Sequence, residues 1–238
     1  FSMDQHENTV KNIDTLKKDI DSAAIFLPNE TVPNINEKFV QKDLGNSLKD
    51  LAVNGRDSFY KGKLGNRIIS SLKEKGGVLT EEDFAEHQGI WIEPISTTYR
   101  GYHMYQVPPN SQGFVGLMAL NIIQNFDLAS IQEGSYEYYH LLVESLKRSF
   151  QDRNLFLTDP EFHSIPLDRL LSKSYAQEMA NSIQFDKAKD IQTQSVGSDT
   201  AHAAVIDNDG NAVSFIQSLY FEFGSGVVAG DTGIIMQN

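Results

Sequence analysis

Asp199-Thr200-Ala201-His202 opens the stretch that decides the fold; strand-forming residues follow to Ser218, and then comes Phe223-Gly224-Ser225-Gly226. His202 to Ile206 and Ala212 to Ser218 are β-prone runs, separated by Asp207-Asn208-Asp209-Gly210-Asn211. A short loop with Gly and Asn between two such runs predicts a hairpin. With its turn centred on Asp209, Thr200 falls opposite Ser218. A slip of one residue sets Ser218 against Ala201 instead, so the two hydroxyls stay close in either register. The bland alternative is that Thr and Ser are simply common in strands.

A threonine at the head of such a hairpin suits a nucleophile that first cuts the chain before itself. A hydroxyl attacks poorly until a base takes its proton, and an N-terminal threonine supplies that base through its own α-amine. The amine has a pKa of about 8, so a useful fraction is neutral at working pH. Exposing it requires cleavage of the Asp199–Thr200 bond, by attack of the Thr200 hydroxyl on the Asp199 carbonyl. The preceding stretch, Gln184 to Ser198, is polar and reads as an exposed irregular loop, which would leave that bond accessible.

Other chemistries find little support. The chain contains no Gly-x-Ser-x-Gly, no His-Glu-x-x-His and no Walker loop. Its six histidines are scattered without helical metal-ligand spacing, so neither a metal nor a cofactor is expected. With no cysteine there is no disulfide, thiolate site or thiol nucleophile. A net charge of −12 argues against nucleic-acid partners, which need Lys and Arg to displace counterions. No apolar run is long enough to span a bilayer, and Phe1 to Asp14 does not read as a signal peptide. No membrane role and a cytoplasmic location are therefore expected, with the N-terminus read as missing and the chain as part of a larger polypeptide.

Its 238 residues suffice for one large domain or two small ones. Lys11–Phe26 and Lys42–Val53 have helical spacing, and Asp57–Leu72 holds another helix interrupted around Gly62 and Gly65. Thr80-Glu81-Glu82-Asp83 reads as a helix cap. The pattern turns to β over Ile90–Val107; Pro108 to Gly113 then forces a turn before a helix over Phe114–Phe126. That turn is a plain connection or, at a helix N-terminus, an anion site. Tyr136–Arg153 is amphipathic: Tyr139, Leu142, Val143, Leu146 and Phe150 share a face, and Glu144, Lys147, Arg148 and Asp152 make a solvated or ion-paired surface. Leu167–Ile183 forms a last helix.

Thr200-Ala201-His202, Val205 to Ser214 and Phe223 to Val228 together resemble the start of the small subunit of γ-glutamyltransferases. Upstream, Phe39 to Leu44, Gly55 to Gly62, Gly76 to Asp83, Pro108 to Gly113, and Phe150-Gln151-Asp152-Arg153 followed by Asp159-Pro160 fit the same family in collinear order. The resemblance implies an α/β (α+β) N-terminal-nucleophile hydrolase, an αββα four-layer sandwich with a helix-rich large-subunit portion. Residues 1–199 would be the C-terminal part of the large subunit, with a β segment near 90–107, and 200–238 the start of the small subunit, in one intertwined fold.

By the same resemblance Thr200 is the nucleophile, Ser218 its supporting hydroxyl, and Asp199–Thr200 the autocleavage site. Tyr220, Phe221 and Gly224 fall in the substrate pocket. The family's typical enzymes have Thr after the nucleophile and Asn two residues after the supporting hydroxyl, where this chain has Ala201 and Tyr220. These departures point toward the γ-glutamyltransferase-like and acylase branch, and toward hydrolysis over transfer. The family's substrate-binding arginine lies before this region; its α-amine-binding acid and oxyanion glycines lie after it. The expected partners are a γ-glutamyl or other small amide substrate and the remaining parts of its own large and small subunits, with assembly as a homo-oligomer left open. Three functions follow: a γ-glutamyl amidohydrolase acting on glutathione-type donors, a related acylase on another amide, and an unprocessed homologue that serves in binding.

Overall fold

The computed structural model describes residues 1–190 and 199–238. The chain packs as two units, one made of Phe1–Gln88 and Ser195–Asn238, the other of Gly89–Gln194.

The first unit opens with α1 (Met3–Lys11), started by a capping box in which Ser2 and Gln5 each accept the other's backbone N–H. The sequence pattern predicts one helix over Lys11–Phe26, but two short helices follow instead, α2 (Ile13–Leu16) and α3 (Ile20–Phe26). The cause is Asp19. Its backbone is extended and its carboxylate accepts the Ser22 N–H at 2.8 Å, which caps a new helix where the old one would have continued. Next come α4 (Lys42–Asn54), α5 (Arg56–Tyr60) and α6 (Lys63–Glu74), with the break at Gly62 while α6 runs straight through Gly65. Leu64, Ile68 and Leu72 line one face of α6 and bury against Ala229, joined at the margin by Val227, Ile234 and Met236. This unit's core is thus built between an early helix and the segment after the hairpin. A reciprocal Thr80–Asp83 capping box starts α7 (Glu81–Glu86), the role read from the sequence.

The second unit begins with an antiparallel ribbon of β1 (Ile95–Tyr99) and β2 (Tyr102–Gln106), inside the stretch expected to be β. Then come α8 (Phe114–Ile123), α9 (Tyr136–Phe156), α10 (Leu167–Leu170) and α11 (Lys173–Asn181). The expected single helix over Leu167–Ile183 is cut in two, because Ser172 accepts the Tyr175 N–H and caps α11 afresh. Phe114, Val115 and Met118 pack with Leu170 and Tyr175, while Ile122 and Leu141 pack with Ala176 and Ala180. The turn before α8 is tied down from within: Gln112 accepts from Arg153 at 2.7 Å, and Ser111 accepts the Gly113 N–H.

The polar side of α9 is not the surface that its sequence suggests. Glu144, Arg148 and Asp152 are buried, whereas Tyr139, Val143 and Leu146 stand exposed. Burial is tolerated because nearly every polar group is paired. Arg148 holds Glu144 at 2.7 Å and donates through Nε and Nη2 to the Ser182 hydroxyl and carbonyl, each at 2.7 Å. The Lys189 N–H and the Lys147 ammonium reach the other Glu144 oxygen, and the Tyr175 hydroxyl donates to Asp152 at 2.9 Å. Among the described residues, no helix is long and apolar enough to cross a membrane.

Candidate active site

In the first unit, β3 (Asp199–Ile206) pairs antiparallel with β4 (Ala212–Tyr220). The turn between them is organised by Asp207, whose carboxylate accepts the backbone N–H groups of Asp209 and Asn211 and the Asn211 side-chain amide. These bonds, the Asn211 amide foremost, hold the Asp207 carboxyl below the usual carboxylate range. Gly210 sits at φ 84°, a left-handed turn position that suits glycine.

The pairing runs Ile206 with Ala212 through to Ala201 with Gln217, the register expected for a turn centred on Asp209. It then slips: Asp199 pairs with Tyr220, so β4 carries one extra residue at its end. Such a bulge bends the strand and re-aims its side chains, and bulges concentrate beside active sites. Across this one, Thr200 Oγ1 and Ser218 Oγ lie 2.9 Å apart. Thr200 is exposed and Ser218 half-buried.

Ser218 Oγ also accepts the Tyr220 N–H at 2.9 Å. Tyr220 reaches that position with φ 78°, a left-handed conformation that costs an L-residue about 1–2 kcal/mol. The geometry therefore holds one Ser218 lone pair on a backbone donor while its hydroxyl faces Thr200. A second polar pair, which sequence reasoning missed, lies further along: His202 Nε2 and Ser214 Oγ are 2.9 Å apart. Strand alternation was the available signal, since residues two apart share a face and His202 follows Thr200 by two.

The residues assigned to a substrate pocket fare unevenly. Tyr220 and Phe221 are 42% and 40% exposed, with their rings edge-on at 5.1 Å. Gly224 has φ 50°, and a Cβ there would run into the Met236 carbonyl, so its need for glycine comes from backbone packing. A cavity of 460 Å³ in this unit is lined by Gln217 and Leu219, on either side of Ser218, and by Glu222 and Phe223; Tyr220, Phe221 and Gly224 are not part of its lining. Among the described residues, no cluster of His, Cys, Asp or Glu is placed to hold a metal ion. What the arrangement offers chemically is a hydroxyl pair at a strand terminus, one member exposed.

Comparison with known proteins bears on the family and the fold. The family model described as Gamma-glutamyltranspeptidase matches residues 1–238. Among curated relatives, the "Glutathione hydrolase-like YwrD proenzyme" of Bacillus subtilis (strain 168) is 55% identical over 100% of this chain and 45% of its own length. The "Glutathione hydrolase proenzyme" of Escherichia coli (strain K12) is 36% identical over 91% of this chain and 39% of its own. This chain therefore spans less than half the length of these relatives. Among solved structures, cephalosporin acylase from Bacillus halodurans aligns over 100% of this chain and 44% of its own, with a TM-score of 0.85 and 34% identity. The Helicobacter pylori gamma-glutamyltranspeptidase gives 0.74 and 29% over 79% of this chain and 54% of its own. The α/β fold is that of the N-terminal-nucleophile hydrolases to which these transpeptidases and acylases belong. Sequence and backbone agree that this chain belongs to the gamma-glutamyltranspeptidase family.

Proposed function

We propose that this chain is the processing region of a self-cleaving threonine amidohydrolase, with Thr200 as nucleophile and Ser218 as its supporting hydroxyl. The observation that carries the reading is the 2.9 Å hydroxyl pair across the bulge, with Thr200 exposed at the head of β3. Thr200 Oγ attacks the Asp199 carbonyl carbon, and collapse of the tetrahedral adduct breaks the C–N bond to give an ester. Water hydrolyses that ester, leaving a carboxylate on Asp199 and a free α-amine on Thr200. In turnover the amine takes the hydroxyl proton, Oγ attacks a γ-glutamyl amide, and the amine product leaves with that proton. Water then releases glutamate and restores the hydroxyl.

Intact mass of the full-length protein under denaturing conditions tests the reading. Two fragments meeting between Asp199 and Thr200 are expected; a single uncut mass would remove Thr200 as a working nucleophile. The similarity to a cephalosporin acylase over the whole chain, with Ala201 and Tyr220 at two positions beside the hydroxyl pair, favours a second reading for the substrate: an acyl amide other than γ-glutamyl. Parallel assays with a γ-glutamyl anilide and an acyl-cephalosporin separate the two.

A further inference from the structure

Both strands of the ribbon, from Thr200 onward, lie on the same side of the Asp199–Thr200 bond. Pairing between β3 and β4 therefore contributes little to holding the two sides together. The attachment lies further on. The segment 226–232 has a single strand-like contact, the Val228–Ile235 bridge, and that contact is internal to it and its own continuation. Some of its other backbone groups are met by local turn bonds, such as Gly230 N–H to the Val228 carbonyl, and others by side chains from earlier in the chain, among them the Ser47 hydroxyl on the Thr232 carbonyl at 2.7 Å. The Gly226 carbonyl accepts from the Ser22 hydroxyl at 2.6 Å, in a buried contact. Val228 is gripped at both its polar groups: its N–H donates to Asp19 at 3.3 Å, and its carbonyl accepts from Lys75 at 2.7 Å. Lys75 in turn bridges Asp19 at 2.5 Å and Asp21 at 2.6 Å. Val228 and Ala229 are fully buried beneath this arrangement.

We propose that Asp19, Ser22 and Lys75 form a side-chain latch that retains segment 226–232, and with it the strand bearing Ser218, once the chain is cut before Thr200. The proposal goes beyond the function above and rests on it only for the origin of the cut. Charged side chains stand in here for a strand partner. Losing Lys75 leaves the buried Asp19 carboxylate without its cation, and losing the Ser22 hydroxyl takes the buried donor from the Gly226 carbonyl, so removing either member loosens the grip. Arg67 and Asp231 also meet in this region, at 2.8 Å, but that pair is exposed and adds little.

The test uses the full-length protein carrying Thr200→Ala and a specific protease site inserted directly before Asp199, so that the cut is made whatever Thr200 does. After cutting, size-exclusion chromatography at rising urea reads the fraction of downstream fragment released. Lys75→Met and, separately, Ser22→Ala are expected to raise the release at a fixed urea concentration about tenfold or more, with Lys75→Arg restoring most of the retention. Circular dichroism of each uncut variant checks that it folds. Release unchanged in both folded variants overturns the latch. If the Thr200 protein proves unable to cut itself while the variants still release the fragment, the threonine reading falls and the latch stands.

Discussion

Thr200 and Ser218 differ in what their loss would do. Without the Thr200 oxygen no ester can form, so Thr200→Ala is expected to abolish cleavage and turnover, while Thr200→Ser retains both. On the proposed mechanism Ser218 only supports, so Ser218→Ala is expected to slow cleavage by about ten- to a hundredfold, the worth of one hydrogen bond to a developing charge. A time course of precursor mass during refolding measures it. Cleavage at the parental rate in Thr200→Ala would end the mechanism. Tyr220 supplies a different kind of test, because its role at Ser218 runs through the backbone. Its left-handed φ is one that glycine adopts without strain and that a β-branched residue resists. Thermal unfolding is expected to leave Tyr220→Gly near the parent and to lower Tyr220→Val by about 1–3 kcal/mol. Equal stability of the two would show that the turn relaxes freely.

Helix α9 turns an ordinary amphipathic pattern around, and its energetics follow from that. Removing Arg148 alone leaves the Glu144 carboxylate buried with Lys147 as its remaining cation, so Arg148→Met is expected to cost about 3–5 kcal/mol; Glu144→Met with Arg148→Met should cost much less. Urea midpoints of the two variants decide it. The acids of this helix also pull in opposite directions with pH. Burial raises Glu144, but hydrogen bonds from Lys147, Arg148 and the Lys189 amide outweigh it and hold the carboxyl below the usual range. Its contribution is present above the unfolded pKa and lost as pH falls through the lower folded value. Burial, only partly offset by the Tyr175 hydroxyl, holds Asp152 above the usual range, so its contribution is full at low pH and lost as pH rises through the folded value. From about pH 3 to about pH 7, Asp152→Asn should therefore gain on the parent and Glu144→Gln fall behind it. Periodicity located this helix but misjudged its buried side, because a hydrophobic stripe names the core only when the polar stripe lacks partners. Those partners, Ser182 and Tyr175, lie 34 and 23 residues away from Arg148 and Asp152. The β3–β4 register was legible because a hairpin is local. The split at Asp19 was missed although its cap is equally local, because a capping aspartate looks like any polar residue until the extended backbone that aims it at the Ser22 N–H is seen.

At the scale of the whole molecule, the ribbon that carries Thr200 is the part least explained by the chain around it. Val205, Ile206, Phe215 and Ile216 are between 56% and 75% exposed. By strand alternation Val205 and Phe215 lie on one face and Ile206 and Ile216 on the other, so neither face is the polar one that a solvated ribbon would show. Two strands alone are marginal in water, and apolar residues on both sides call for cover on both. The curated relatives run to more than twice this length, which leaves ample chain to provide it. The 238-residue piece by itself is accordingly expected to self-associate through the ribbon and to show no turnover. Phe215→Thr with Ile216→Thr should reduce light scattering by the piece. In the full-length protein the same pair should lower stability by about 1.5–3 kcal/mol for each apolar side chain that cover had removed from water. The two measurements share one cause with opposite signs, which makes them hard to satisfy by accident. A pair of threonines that leaves the full-length urea midpoint unmoved would mean that the ribbon stays open to solvent there too, with the Thr200 hydroxyl reached from an uncovered sheet.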